Sequence, residues 1–364
     1  MSLNVSYYNS VLGESSTSFI NIFRNTWNQH IKTFPKKYSV GEQFVIGERF
    51  RPIILCWGYL LTGNELGTEK KKELSELALY IELLHKATLL IDDLIDNDFS
   101  RHGKRAFHIQ YSRDEAILFS IFLIGDSLQK LLNSLIQVHF DEKSNSIIKL
   151  FSQTIKDMAY GALQEVNLKS DHLTSIKMIK DIIEKQTISI INNGLLTGYK
   201  FGQGNQNLLE VIERIGHDCG YIFQLLNDLE PFGSTTININ HKGRNNVDVL
   251  SSRKNLIIAF IYHSLKTKDK RAFQDLILNN MQDKLIIVTK ILAYFSDNNV
   301  IDSILANLKD VRLNMNRNML ILDKEIKNAS LFVDFKTFLT YTFQKAIERV
   351  GPSYRTRLSD ILIT

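Results

Sequence analysis

The chain has 364 residues, 44% hydrophobic and 23% charged, values that exclude general disorder and suit a globular protein with a sizeable core. Its net charge of +5 comes from 44 Lys+Arg against 39 Asp+Glu, with no basic run longer than Lys70-Lys71-Lys72; that is a solvated surface, and no nucleic-acid motif accompanies it. Two cysteines, Cys56 and Cys219, cannot build a disulfide framework and suit a reducing compartment.

Apolar residues recur at helical spacing along almost the whole chain. They predict helices over about 15–33, 43–62, 69–98, 112–138, 144–168, 174–202, 206–230, 253–267, 270–297, 300–328 and 331–349. Proline occurs only at 35, 52, 231 and 352, so nothing between 53 and 230 removes a helix hydrogen bond in the way proline does. In the 69–98 segment, Leu74, Leu77, Leu79, Ile81, Leu83, Leu84, Leu89, Leu90 and Ile91 cover most of the helix surface, as expected of a helix buried among others. Polar breaks at Thr62-Gly63-Asn64, Asp141-Glu142-Lys143 and Gly202-Gln203-Gly204-Asn205 separate neighbours. A longer polar stretch runs from Gly233 to Asn246, and loops of that length in compact domains are often functional. The expectation is all-α: one large domain over 1–364, a bundle of long helices.

The polar first ten residues lack the basic-then-apolar order of a signal peptide. The longest apolar stretch, Ala116 to Gly125, is broken by Ser120 and falls short of the roughly 20 residues a membrane span needs. A cytoplasmic protein without a membrane span is expected.

The strongest chemical signal is Asp92-Asp93-Leu94-Ile95-Asp96-Asn97-Asp98. Asp92 and Asp96 share a helix face, with His85 and Thr88 on nearly the same face. Several like charges next to apolar helix are costly without a cation, and Mg²⁺ prefers carboxylate oxygens and shares its coordination with substrate phosphates. A basic turn follows, Arg101-His102-Gly103-Lys104-Arg105, suited to gripping phosphate oxygens. Three further charged elements accompany it: Gly47-Glu48-Arg49-Phe50-Arg51-Pro52, Phe223-Gln224-Leu225-Leu226-Asn227-Asp228-Leu229-Glu230-Pro231, and the segment from Asp248 to Leu256 with Arg253 and Lys254.

Together these segments resemble the trans-isoprenyl diphosphate synthase (polyprenyl synthetase) family. The resemblance runs from about residue 47 to 259 and rests on order and spacing: Asp92-Asp93-x-x-Asp96, then Arg101-x-Gly103-Lys104, the upstream Gly-x-Arg-x-Arg-Pro element, Ile124-Gly125-Asp126-x-Leu128, and Phe223-Gln224-x-x-Asn227-Asp228. It implies a bundle of long helices around a central cavity, usually a homodimer, with Mg²⁺ (three ions) held between two aspartate-rich motifs. An allylic prenyl diphosphate, C10 to C20, would be ionised to a carbocation. Asp92, Asp93, Asp96, Arg101 and Asn227 are then the catalytic candidates. Asp92, Asp96, Asn227, Asp228 and Glu230 are the metal ligands, and Arg101, Lys185, Gln224, Lys242 and Arg253 the diphosphate contacts. Ala87 and Thr88 leave depth for a C15 or C20 chain, unless a wall bearing Phe119 or Phe122 closes the cavity.

The sequence departs from the family where the second substrate, isopentenyl diphosphate, should bind. The family's lysine becomes Glu48, while Arg51 is kept. The second arginine of the basic turn becomes His102, and His85 matches a histidine lining the site. One charge pair at about 4 Å is worth on the order of 1–4 kcal/mol at effective dielectrics of 80 to 20, so these exchanges should weaken an anionic ligand. Glu48, Arg51, His85 and His102 therefore read as an acceptor site for something other than isopentenyl diphosphate, with Glu48 accepting a hydrogen bond and His102 serving as base. The leading expectation is prenyl transfer to such a small-molecule acceptor. The alternatives are cyclisation of the prenyl chain by a terpene synthase, ordinary chain elongation, and a non-catalytic partner subunit, which the intact first motif disfavours.

Overall fold

The computed structural model describes residues 13–38, 50–101, 104–136, 141–168, 175–233, 255–278, 284–297, 299–326 and 328–363. Glu48, His102, Lys242 and Arg253 lie outside these residues. The described residues are all-α apart from a pair of two-residue strands.

The elements, in chain order, are α1 (Gly13–His30), α2 (Phe50–Leu60), α3 (Thr68–Ile95), β1 (Ser100–Arg101), β2 (Lys104–Arg105), α4 (Phe107–Gln110), α5 (Arg113–Ile136), α6 (Glu142–Val166), α7 (Ile176–Ile183), α8 (Ser189–Phe201) and α9 (Leu209–Leu229). There follow α10 (Leu256–Ser264), α11 (Thr267–Leu278), α12 (Lys284–Asp297), α13 (Val300–Glu325), α14 (Ala329–Arg349) and α15 (Pro352–Leu362). The helix expected over 270–297 is two helices, α11 and α12. Pro231 ends α9 as expected, placing Glu230–Phe232 in a 3₁₀ turn. The chain forms two compact units, each assembled from three stretches.

The first unit comprises residues 1–154, 190–213 and 320–338. As its apolar wrapping predicts, α3 buries Leu74, Leu77, Leu79, Ile81, Leu83 and Leu84 almost completely. Helices α2 and α8 meet backbone to backbone: a Cβ on Gly58 would stand 2.0 Å from the Leu195 carbonyl oxygen, and one on Gly198 would stand 1.9 Å from that of Leu55. Only glycine permits that approach. A buried polar network ties four helices. The Tyr80 hydroxyl donates to Thr197 Oγ1 at 2.8 Å and bonds Asn193, Asn193 Nδ2 donates to Thr154 Oγ1 at 2.8 Å, and Ser127 donates to the Tyr80 carbonyl at 2.6 Å. Each buried polar group is thereby satisfied. Trp57 of α2 packs on the Phe335 and Phe338 rings of α14.

The second unit comprises 155–189, 214–319 and 339–364. Helix α10 is buried on nearly every side, from Leu256 to Ile261. Asn255 caps it, accepting from the Ile257 and Ile258 amides, the ordinary device for first-turn donors. Between α7 and α8, Glu184–Ile188 form a π-helical turn. Such turns insert a residue and often mark functional positions.

Candidate active site

The end of α3 builds the first cluster. Its exposure pattern is selective: His85, Thr88, Leu89, Asp92 and Asp96 are half-buried, while Glu82, Lys86, Ala87, Leu90 and Asp93 are buried. Past its exposed first turns the helix is enclosed on most sides, and this solvent-reaching stripe ends on two carboxylates. The helix stops in a Schellman turn: Asp96 N–H bonds the Asp92 carbonyl, Asn97 takes a left-handed φ of 52°, and Asp98 N–H bonds back to the Asp93 carbonyl at 2.9 Å. Asparagine tolerates that conformation.

The reversal brings the β1–β2 hairpin back against the helix. Ser100 pairs with Arg105 and Arg101 with Lys104. Arg101 closes on Asp93: Nε stands 2.7 Å from Oδ1 and 3.0 Å from Oδ2, and a second guanidinium nitrogen also bonds Oδ1. Asp93 is 2% exposed. Burial works to lower the Arg101 pKa, but the Asp93 hydrogen bond and the charges of Asp93, Asp92 and Asp98 outweigh it and hold the guanidinium above its ordinary value. Asp93 thus orients Arg101, while Asp92 and Asp96 occupy the accessible face.

Behind this face lies a buried charged group that the sequence reading passed over. Glu82 and Lys86 are both buried, with Lys86 Nζ 3.7 Å from Glu82 Oε1. Arg51 is lowered to about 10 by burial, against the opposing charges of Glu82 and Asp92, so it remains a cation at neutral pH. Its Nε is buried without a hydrogen-bond partner among the described residues. The signal was present in the sequence as a Glu-Lys pair at i,i+4 inside an apolar run.

Of the proposed cavity residues, Ala87 is fully buried and Thr88 bonds the His85 carbonyl at 2.9 Å. Phe119 is 4% exposed and stacks on Phe107 and Phe122. Phe122 itself is 42% exposed.

The second cluster belongs to the other unit, on α9 and the π turn. Gln224 accepts from Thr187 at 2.9 Å and donates to Asp228 Oδ1 at 2.7 Å. Asp228, 6% exposed, also accepts the Leu256 amide on Oδ2 at 3.0 Å, so its carboxylate anchors the start of α10. Asn227 Oδ1 accepts from Arg349 at 3.0 Å. Glu230 is half-buried in the 3₁₀ turn. Lys185 pairs with Asp181, and Gln186 donates to Glu165 at 2.9 Å. On the same face His217 bonds Glu184 at 2.7 Å and Asp218 at 3.3 Å. Hydrogen bonds to Asp218 and Glu184, opposed by burial, push its pKa up to about 9. Arg349 is separated from Asn227 by more than a hundred residues, and no sequence signal links them.

Asp92 and Asp96 suit a divalent cation that takes its other ligands from water and phosphate. Among the described residues, no three His, Cys, Asp or Glu side chains are grouped to hold a metal. Among those residues, too, no helix is long and apolar enough to cross a membrane.

An all-α scaffold bearing an aspartate pair and a basic hairpin defines a class. The fold is that of solved prenyl diphosphate synthases: geranylgeranyl pyrophosphate synthetase from Pyrococcus horikoshii Ot3 superposes with a TM-score of 0.75 at 17% identity, over 93% of this chain and 99% of that one. The polyprenyl synthetase family model matches residues 37–294, and the chain belongs to that family. Its similar curated relatives include a short chain isoprenyl diphosphate synthase of Methanocaldococcus jannaschii, 25% identical over 71% of this chain and 78% of that one. A solanesyl-diphosphate synthase 2 of Oryza sativa subsp. japonica is 28% identical over 51% of this chain and 44% of the relative; the match spans less than half of that relative's length. The coarse assignment is a prenyltransferase of this family.

Proposed function

We propose that the chain ionises an allylic prenyl diphosphate and elongates it with isopentenyl diphosphate. The observation that carries this reading is the accessible Asp92/Asp96 face, ending a buried helix beside the Asp93-clasped Arg101. Asp92 and Asp96 would hold Mg²⁺, which when bound supplies Lewis-acid stabilisation of negative charge on the diphosphate. Arg101 adds a fixed guanidinium at the same end of the unit, pre-oriented by Asp93. The C–O bond breaks with its electron pair leaving on the diphosphate. The alkene of isopentenyl diphosphate then attacks the cation, and the resulting adduct loses a proton to the released pyrophosphate. Arg51, still charged despite burial, is the residue retained for the second diphosphate.

This reverses the order of the readings taken from sequence. Chain elongation now stands ahead of transfer to another acceptor, because the relatives are diphosphate synthases by name. The second reading keeps one support: Glu48 and His102 stand where cations are expected. It covers transfer to another acceptor and internal cyclisation alike.

The test uses Mg²⁺ with geranyl, farnesyl and geranylgeranyl diphosphates, with and without isopentenyl diphosphate, scoring pyrophosphate and products. Elongated diphosphates formed only when both substrates are present support the proposal. Pyrophosphate release without isopentenyl diphosphate, abolished in Asp92→Ala, would transfer support to the second reading.

The assembly belongs to the same proposal. Ile117, Leu118, Ile121, Phe122, Leu128 and Ile136 of α5 are 39–66% exposed and follow one side of the helix. An apolar face of that length commonly marks an interface, and it suits a homodimer built on α5.

A further inference from the structure

We propose that the second motif binds diphosphate through Arg349 and not through a divalent ion. This deepens the prenyl diphosphate reading and rests on it. Asn227 already carries a cation: its Oδ1 accepts from the Arg349 guanidinium at 3.0 Å. The same guanidinium lies 5.5 Å above the Phe223 ring. Phe223 and Asn227 are one helical turn apart on α9, so ring and amide form a two-point seat for one planar cation.

The carboxylate beside it is engaged elsewhere. Asp228 spends Oδ1 on Gln224 and Oδ2 on the Leu256 amide, and it is buried. A magnesium ion at Asn227 Oδ1 would sit about 2 Å from that oxygen, beside a positive guanidinium bonded to the same atom. The motif has exchanged a side chain that collects a metal for an amide that holds an arginine.

The exchange creates a binding group. Guanidinium has five N–H donors in a planar fork that matches phosphate oxygens. Among the described residues, Arg349 is exposed and its hydrogen bond to Asn227 uses one proton of one terminal nitrogen, Nη2. The second Nη2 proton, with its neighbour Nε or Nη1, is left as a fork for paired oxygens of a diphosphate.

The experiment titrates inorganic pyrophosphate into the full chain in EDTA by calorimetry, for wild type, Arg349→Met and Arg349→Lys. Parallel arms use geranyl S-thiolodiphosphate and isopentenyl diphosphate to show which substrate's diphosphate is held. Mn²⁺ bound in the presence of pyrophosphate is counted by electron paramagnetic resonance for wild type and Asn227→Ala. Expected are pyrophosphate binding without metal, at least tenfold weaker in Arg349→Met and largely restored in Arg349→Lys, and a Mn²⁺ count unchanged in Asn227→Ala. Wild type that binds no pyrophosphate in EDTA, Arg349→Met that binds it like wild type, or Asn227→Ala that loses a bound Mn²⁺ would each overturn the proposal. If Arg349→Met fails to fold, Arg349→Gln, which can still donate to Asn227, replaces it in the comparison. Failure of wild type to act on any prenyl diphosphate would sink the function above, while the pyrophosphate titration still scores Arg349 alone.

Discussion

Replacing Asp93 by alanine should cost far more stability than replacing Asp92, although both belong to one motif. Asp93 is 2% exposed and meets Arg101 Nε at 2.7 Å and 3.0 Å. At about 3 Å and an effective dielectric of 20, the gross attraction is roughly 5–6 kcal/mol. Much of it offsets desolvation, so the pair's net worth is small, but losing one partner strands the other in a buried place at about 3–5 kcal/mol. The nearby charges of Asp92 and Asp98 still favour the guanidinium, placing Asp93→Ala near the lower end, about 3 kcal/mol. The assay is urea unfolding of wild type, Asp93→Ala, Arg101→Met and the double variant Asp93→Leu/Arg101→Met. The double variant removes both charges and should recover to within about 1 kcal/mol of wild type. Single variants within about 0.5 kcal/mol of wild type, or a double variant equal to their sum, would refute the account of Asp93 as a buried clasp on Arg101.

Asp92→Ala, on the accessible face, should unfold like wild type yet lose about a hundredfold or more in turnover, as loss of a charge-stabilising group does; a steady-state assay beside a urea melt checks both halves. Gly198→Ala places a Cβ 1.9 Å from the Leu55 carbonyl oxygen. Helices α2 and α8 must then separate, at about 1–3 kcal/mol or more, and a thermal midpoint equal to wild type would contradict that close approach. His217 has its folded pKa raised to about 9 above an ordinary value of about 6.5. Its ion pairs therefore contribute fully below about pH 6.5, and the contribution is lost as pH rises through 9. The side chain is 43% exposed, so solvent screening limits the effect to about 1 kcal/mol; His217→Asn should flatten stability between pH 6.5 and 9, as followed by urea midpoints.

Most helices and the first motif can be read from residue order, because both are written in local spacing. An apolar residue every third or fourth position specifies α3 whatever surrounds it, and Asp92 and Asp96 share a face by helix geometry alone. The left-handed Asn97 and the clasp of Arg101 on Asp93 follow a few residues later in the same chain. Long-range packing selected which of the adjacent aspartates is buried, since Asp92 and Asp93 are equivalent in a motif and differ only in what packs against them. It also decided the fate of the second motif. Asp228 is drawn into capping α10, and Asn227 is claimed by an arginine at the far end of α14. Those partners are distant in sequence, and hydrogen bonds between distant residues carry no periodicity that a linear reading can detect.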